Sequence, residues 1–204
     1  MKKRMTAIAL VICLLAIGIV GATMSYFTDK ETSTNTFTMG KGIFIDLSET
    51  SEETVDNNGV VTVHKGTPVE ENGEVVGYTY DKVLPGLVYS KKPTVTVEDG
   101  SVDAWVIVTA TVPTVYDFDG LLTQTSDGYM LEKKTVGDKT TYYFYYNGVK
   151  VAGAAVTPFT QVTINPALTQ EIAGEAFDIV VNAYAIQKEG FTSAKAAYNT
   201  AFAG

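Results

Sequence analysis

Cysteine is almost missing from this chain of 204 residues, and its only occurrence is Cys13, inside an apolar N-terminal run. Val11 and Ile12 precede it and the run continues beyond it, which does not fit a lipid-attachment site. If this run is removed, the remaining chain has no thiol, and so neither a disulfide nor a thiolate metal site. Such a chain must be stabilised by apolar burial or by contacts with its neighbours.

Histidine is equally scarce, since His64 is the only one. A zinc hydrolase needs several nitrogen or carboxylate ligands, usually with a His-Glu-x-x-His helix, and one histidine cannot supply them. The chain also lacks the Gly-x-Ser-x-Gly turn of serine hydrolases and both common glycine-rich phosphate-binding motifs. We therefore predict that it is not an enzyme and has no catalytic, metal or cofactor site. Glu49–Glu53 and Glu70-Glu71 lack the spacing of a calcium loop, so solvated loops are the simpler interpretation.

Positive charge is in deficit. The formal net charge is −8, and removal of the three basic residues at positions 2–4 would bring it to −11. Nucleic acid and anionic lipid both attract lysine and arginine, so this balance argues against either partner. Acidity of this kind favours solubility of an exported protein.

The N-terminus has the three parts of a secretory signal peptide. Residues 2–4 are basic, Met5–Val20 contains no charged residue, and residues 21–25 are mostly small. We predict cleavage between Ser25 and Tyr26, with a cut after Ala22 as the other option. The cleaved product is expected to be secreted, and only the uncleaved form would contact the membrane, through its leader. The alternative is a retained anchor, for which this run is short.

After the leader, β-branched and aromatic residues recur in short runs separated by Asn-Gly and Asp-Gly turns, which is typical of a β-sandwich. We predict an all-β fold, a jelly-roll-like antiparallel β-sandwich over residues 36–204, with a short C-terminal helix capped by Thr192 or Ser193 and an N-terminal signal or anchor helix. A hairpin insertion is predicted within residues 48–81, and Ser48–Asn58 is expected to be a loop. The predicted strands are 36–47, 60–64, 75–80, 93–97, 104–112, 140–146, 149–155, 160–164 and 177–187, with 60–64 and 75–80 paired through Asn72-Gly73.

Aromatic residues are concentrated in Tyr142–Tyr146, which could form a carbohydrate-stacking platform. A strand with two buried faces is the simpler interpretation, because alternate rings would fill the core and cover a neighbouring element. Trp105 lies in the most apolar run after the leader, and we assign it to the core.

Several motifs resemble the TasA/camelysin family of Gram-positive exported proteins. They are Gly21–Asp29, Asn35–Gly40 and Ile43–Leu47 near the start, then Leu84-Pro85-Gly86, Ser101–Val106 and Ala183–Gln187 with Gly190-Phe191. The resemblance implies a jelly-roll subunit of biofilm matrix fibres, whose leader is removed by a SipW-type signal peptidase to give a mature start at Tyr26. It covers the middle of the chain least.

The family scheme also implies how subunits join, by donor-strand complementation. Segment 26–35 would leave its own domain and pair with the next subunit, with Tyr26, Phe27 and Phe37 as anchors around Thr28 and Asp29. The partners are then other copies of this chain in a head-to-tail filament, together with possible accessory matrix proteins. Three alternatives stand beside this one: a segment that packs on its own domain, a monomeric surface adhesin, and a camelysin-like metallopeptidase.

Overall fold

The computed structural model describes residues 28–31, 42–81, 83–116, 122–168 and 177–202. Within these ranges the named strands pair antiparallel throughout, and the one α-helix is short and C-terminal, so the all-β prediction is confirmed. The predicted N-terminal helix lies outside the described residues. The elements are β1 (Thr28–Glu31), β2 (Ile45–Thr50), β3 (Thr54–Val55), β4 (Val61–Val63), β5 (Thr67–Glu71), β6 (Glu74–Thr79), β7 (Val88–Ser90), β8 (Lys92–Val97), β9 (Ala104–Pro113), a 3₁₀ helix (Thr114–Tyr116), β10 (Leu122–Gln124), β11 (Tyr129–Val136), β12 (Lys139–Tyr146), β13 (Ala155–Val156), β14 (Phe159–Thr163), β15 (Val180–Gln187) and α1 (Ala194–Phe202).

The largest sheet has five strands in the order β1-β15-β9-β12-β11. Two three-stranded sheets, β10-β14-β7 and β13-β8-β2, accompany it, together with the two-stranded pairs β3-β4 and β5-β6. β9 occupies the middle of the five strands, as its apolar sequence predicts, because a strand buried on both faces has no polar alternation. Seven consecutive residues of β9, from Ala104 to Ala110, are buried.

The five-stranded sheet has a buried cluster on each face. On one face Val106, Val108 and Phe144 join residues of β2, β8 and β14, so this cluster lies between the sheets. On the other face Trp105 and Ile107 join residues of α1. Trp105 is therefore a core residue, as predicted. Helix α1 begins as expected, since the Ala196 N–H donates to Ser193 Oγ at 3.1 Å.

The predicted pairing of 60–64 with 75–80 is wrong. Asn72 and Gly73 do form the turn, with φ of 52° and 86°, but the strand before them is β5, and β6 pairs with that strand. β4 instead pairs with β3, inside the segment expected to be a loop. Proline and glutamate have low strand propensity, which is why Thr67–Glu71 was not predicted as a strand. Pro68 is tolerated because β5 has a partner on one side only in this two-stranded pair.

Three strand predictions differ markedly in their bounds. One is 177–187, because β15 begins only at Val180. In the described part of 36–47, residues 42–44 are not strand, and β2 runs from Ile45 to Thr50 into the expected loop. In place of the predicted strand 149–155, the structure has an isolated bridge between Lys150 and Ala104, and β13 begins only at Ala155. No helix within the described ranges is long and apolar enough to cross a membrane.

Candidate interface at an edge of the five-stranded sheet

β1 lies at one edge of the five-stranded sheet, paired antiparallel with β15. The register joins Thr28 to Ile186, Asp29 to Ala185, Lys30 to Tyr184 and Glu31 to Ala183. β1 also approaches β2, so it lies where the five-stranded sheet and the β13-β8-β2 sheet come together. A four-residue stretch of the N-terminal segment is thus held on its own domain.

The sequence of β15 explains why it forms an edge that accepts a strand. Ala183 and Ala185 lie in the cluster between the sheets, and Tyr184 and Ile186 lie in the cluster under α1. Both faces are buried, so β15 is fixed in place, and its backbone polar groups on the side away from β9 need a partner. Sequence reasoning did not identify β15 as an acceptor, although the alternation of alanine with large apolar residues in Ala183–Ile186 was visible.

β1 covers only part of this edge. β15 pairs with β9 over all eight residues from Val180 to Gln187, whereas β1 pairs with the four from Ala183 to Ile186. No strand in the described part of the chain pairs with Val180–Asn182 on the outer side. The edge is therefore longer than the strand that occupies it.

The structure describes only some of the predicted donor residues. Thr28 and Asp29 lie in β1, and the structure brings their backbone against β15. Ser25, Tyr26, Phe27 and Phe37 lie outside the described residues, so the cleavage site and the anchors stay predictions. For residues 28–31 the arrangement is that of the alternative, a segment paired with its own domain.

The opposite edge of the sheet is β11, which pairs with β12. It carries Glu132, Lys133 and Lys134 in sequence, and the Lys195 ammonium of α1 contacts the Glu132 carboxylate. Charged residues, lysine above all, discourage edge-to-edge association. The other edge strand, β1, is also charged, at Asp29, Lys30 and Glu31. The candidate interface is therefore β15 itself, which β1 covers only in part.

The tyrosine run Tyr142–Tyr146 forms a strand that is buried on both faces, as the simpler of its two interpretations predicts. Tyr142, Phe144 and Tyr146 lie between the sheets, while Tyr143 and Tyr145 face α1, where both contact the ring of Tyr198. Burial raises the pKa of Tyr145 to about 12, and Glu132 adds to the rise. Burial also raises the pKa values of Tyr198 and Tyr146. These rings are structural in the described part of the chain.

We expect stability to fall in alkali because of these groups. A tyrosine whose folded pKa is raised keeps its proton longer in the folded state than in the unfolded chain, whose pKa is near 10.0. The stabilisation is complete below about pH 10 and is lost as pH rises through the folded value of about 12 for Tyr145. A spectrophotometric titration should show some of the 12 tyrosines ionising only as the protein unfolds. Ionisation of all of them near pH 10 in folded protein would contradict this.

The other residues considered as ligands do not come together. His64 forms a bridge with Tyr89, and their ring centroids are 5.4 Å apart. Glu49 is paired with Lys91, whereas Glu70 and Glu71 lie on the exposed strand β5 rather than in a loop. Among the described residues no three histidine, cysteine, aspartate or glutamate side chains are placed to share a metal ion. The pairing of Glu49 with Lys91 was not foreseen, because the sequence separates them by 42 positions.

Comparison of the chain with protein-family models, with curated proteins and with solved structures gives no match.

Proposed function

We propose that this protein is a secreted structural subunit of extracellular matrix fibres, with a jelly-roll β-sandwich as its body. One observation carries the proposal: a segment next to the predicted cleavage site already lies as an edge strand on β15. The same edge can take the same segment from a neighbouring copy. The isolated chain fills its own edge, and in a fibre each subunit fills the edge of the next.

The exchange is energetically accessible because β1 is held by few bonds. A backbone hydrogen bond contributes about 0.5–1.5 kcal/mol net, so a strand paired over four residues is held by a few kcal/mol. β15 and β9 are paired over eight residues, with buried side chains on both faces. β1 is thus expected to detach well before the rest of the sheet. Pairing in trans restores the same bonds, as in domain swapping.

The geometry of the exchange gives a filament. The donor is the N-terminal segment and the acceptor is β15, two different surfaces, so each contact is head-to-tail. A head-to-tail contact that does not close into a ring propagates without limit. Main-chain bonds would provide affinity, and Tyr26, Phe27 and Phe37 would provide specificity as anchors. Possible accessory matrix proteins would join through the same edge.

The leader sets when assembly begins. Before cleavage, an apolar segment ending at Ser25 holds the donor segment near the membrane. Cleavage by a SipW-type signal peptidase would free Tyr26 as the new N-terminus. Assembly would then be restricted to secreted molecules, and the role of the protein would be architectural rather than catalytic.

Imaging tests the proposal directly. The chain beginning at Tyr26 is expected to form filaments visible by negative-stain electron microscopy, whereas the chain with residues 1–25 attached is not. N-terminal sequencing of the secreted protein should give Tyr-Phe-Thr-Asp. Globular particles alone, at all concentrations of the processed chain, would contradict the proposal.

A further inference from the structure

A cavity of about 430 Å³ lies beside the beginning of β15. Strand β6 lines one part of it with Val75 and Val76, and β14 and its continuation line another with Val162 and Ile164. β2 and the residue after β7 contribute the charged side chains Glu49 and Lys91, and exposed Asp178 lies before β15. The lining therefore combines apolar side chains with a buried ion pair and one exposed carboxylate.

The ion pair is buried. Lys91 Nζ donates to Glu49 Oε2 at 2.6 Å, and the two side chains are only 8% and 14% exposed. The second carboxylate oxygen, Glu49 Oε1, is buried and accepts no hydrogen bond from the described residues. A buried acceptor without a donor is costly, so this oxygen marks a place for an incoming donor.

The hydroxyl of Tyr80 is already used elsewhere. Tyr80 also lines the cavity, but its hydroxyl donates to the Ser90 carbonyl at 2.5 Å. Burial raises the pKa of Tyr80 to about 12, so this hydroxyl keeps its proton at neutral pH. No described group, the other lining tyrosines Tyr78 and Tyr89 included, donates to Glu49 Oε1.

Part of the apolar lining is exposed to solvent. Val75 and Val76 line the cavity yet are 42% and 57% exposed on the β5–β6 hairpin. Exposed valines next to a cavity provide apolar surface that an occupant would cover. An apolar surface with a few convergent polar groups is typical of a small-molecule site.

The charges decide which kind of molecule fits. An anionic head would be repelled by Glu49 and by Asp178. Lys91, bonded to Glu49, opposes a cationic head at Glu49 Oε1, whereas the attraction of exposed Asp178 for such a head is screened by solvent. A quaternary ammonium has no proton to donate. We propose that this cavity binds a neutral amphiphile, with an apolar body and a hydroxyl, amide or secondary amine that donates to Glu49 Oε1. Val180 and Val181 of the acceptor strand β15 also line the cavity, but the inference does not depend on the strand exchange, because it requires no second copy of the chain.

Two related fluorophores test this inference. N-phenylnaphthylamine is apolar and neutral with one N–H donor, and anilinonaphthalene sulfonate is its anionic analogue. We expect saturable binding of the neutral probe to the full chain, and binding of the anionic probe about tenfold weaker or more. In Glu49→Gln the loss of negative charge leaves Lys91 unpaired, so the preference should shift by about tenfold toward the anionic probe.

Controls separate this site from other apolar surfaces. Val76→Trp adds bulk at an exposed position that should not affect folding, and we expect it to weaken binding of the neutral probe. Val136→Ala, on the exposed edge strand β11, should leave binding unchanged. All variants retain residues 1–25, so any probe bound there cancels in the comparison. Unsaturable binding, or equal binding by the parent and Val76→Trp, would overturn the inference even if Glu49→Gln does not fold.

Discussion

Removal of residues 26–34 from the processed chain is expected to abolish filaments and to leave the rest of the all-β domain folded. The deletion takes away β1 and the predicted anchors Tyr26 and Phe27, but none of the residues of the two buried clusters. The acceptor strand β15 remains fixed by β9 and by its buried faces. Negative-stain microscopy measures the loss of filaments, and far-UV circular dichroism with denaturant titration measures whether the domain remains folded.

Proline substitutions give a finer version of the same experiment. Proline removes a backbone N–H, and successive N–H groups of a strand alternate in direction. Only one of the N–H groups of Asp29 and Lys30 therefore points at β15. The proline variant at that position, Asp29→Pro or Lys30→Pro, should remove a bond to β15 and impair filaments. The alanine variants at both positions should assemble. Filaments of normal abundance from the deleted chain would exclude this segment as the donor.

The Phe144→Ala variant is expected to lose about 3–5 kcal/mol of unfolding free energy. Phe144 is 0% exposed and sits between Tyr129, at 5.1 Å between ring centroids, and Phe159, at 5.8 Å. Its removal leaves a cavity between the sheets that their paired strands cannot easily close. Since domains of this kind are stable by about 5–15 kcal/mol, the midpoint of denaturation should move markedly.

Val136→Ala provides the matched comparison. Val136 is a large apolar residue at the end of β11, but it is 64% exposed, so the change should fall within about 0.5 kcal/mol. Chemical denaturation at low protein concentration keeps assembly from contributing to either value. Equal losses for the two variants would show that Phe144 does not lie in the main core.

The elements predicted most successfully are those whose side chains fix their position without reference to distant partners. β9 is apolar apart from Thr109 and Thr111, and β12 alternates rings toward the sheets and toward α1, so both follow from their own sequences. The turn at Asn72-Gly73 was also predictable, because asparagine and glycine both tolerate the positive φ that a tight turn requires. These features required only local physics.

What could not be predicted depends on partners far apart in the chain. β5 contains a proline and two glutamates, and it is a strand only because β6 pairs with it. Glu49 belongs to an acidic stretch that is typical of a loop, yet its side chain is buried in an ion pair with Lys91. In the candidate interface, the donor role of segment 26–35 was predicted from the leader before it and from the family resemblance, and it stays a prediction. The register of residues 28–31 on β15 depends on the tertiary arrangement and was not predictable.

A cysteine pair would test the strand exchange most directly. Asp29 and Ala185 are opposite each other in the register, and a chain that begins at Tyr26 lacks Cys13, the only native cysteine. Opposite residues of an antiparallel pair are close enough for a disulfide. The processed chain carrying Asp29→Cys and Ala185→Cys is to be assembled, oxidised and run on a denaturing gel without reductant. We predict a ladder of covalent oligomers that reductant converts to monomer, whereas a single monomeric band with an internal disulfide would show that β1 never leaves its own domain.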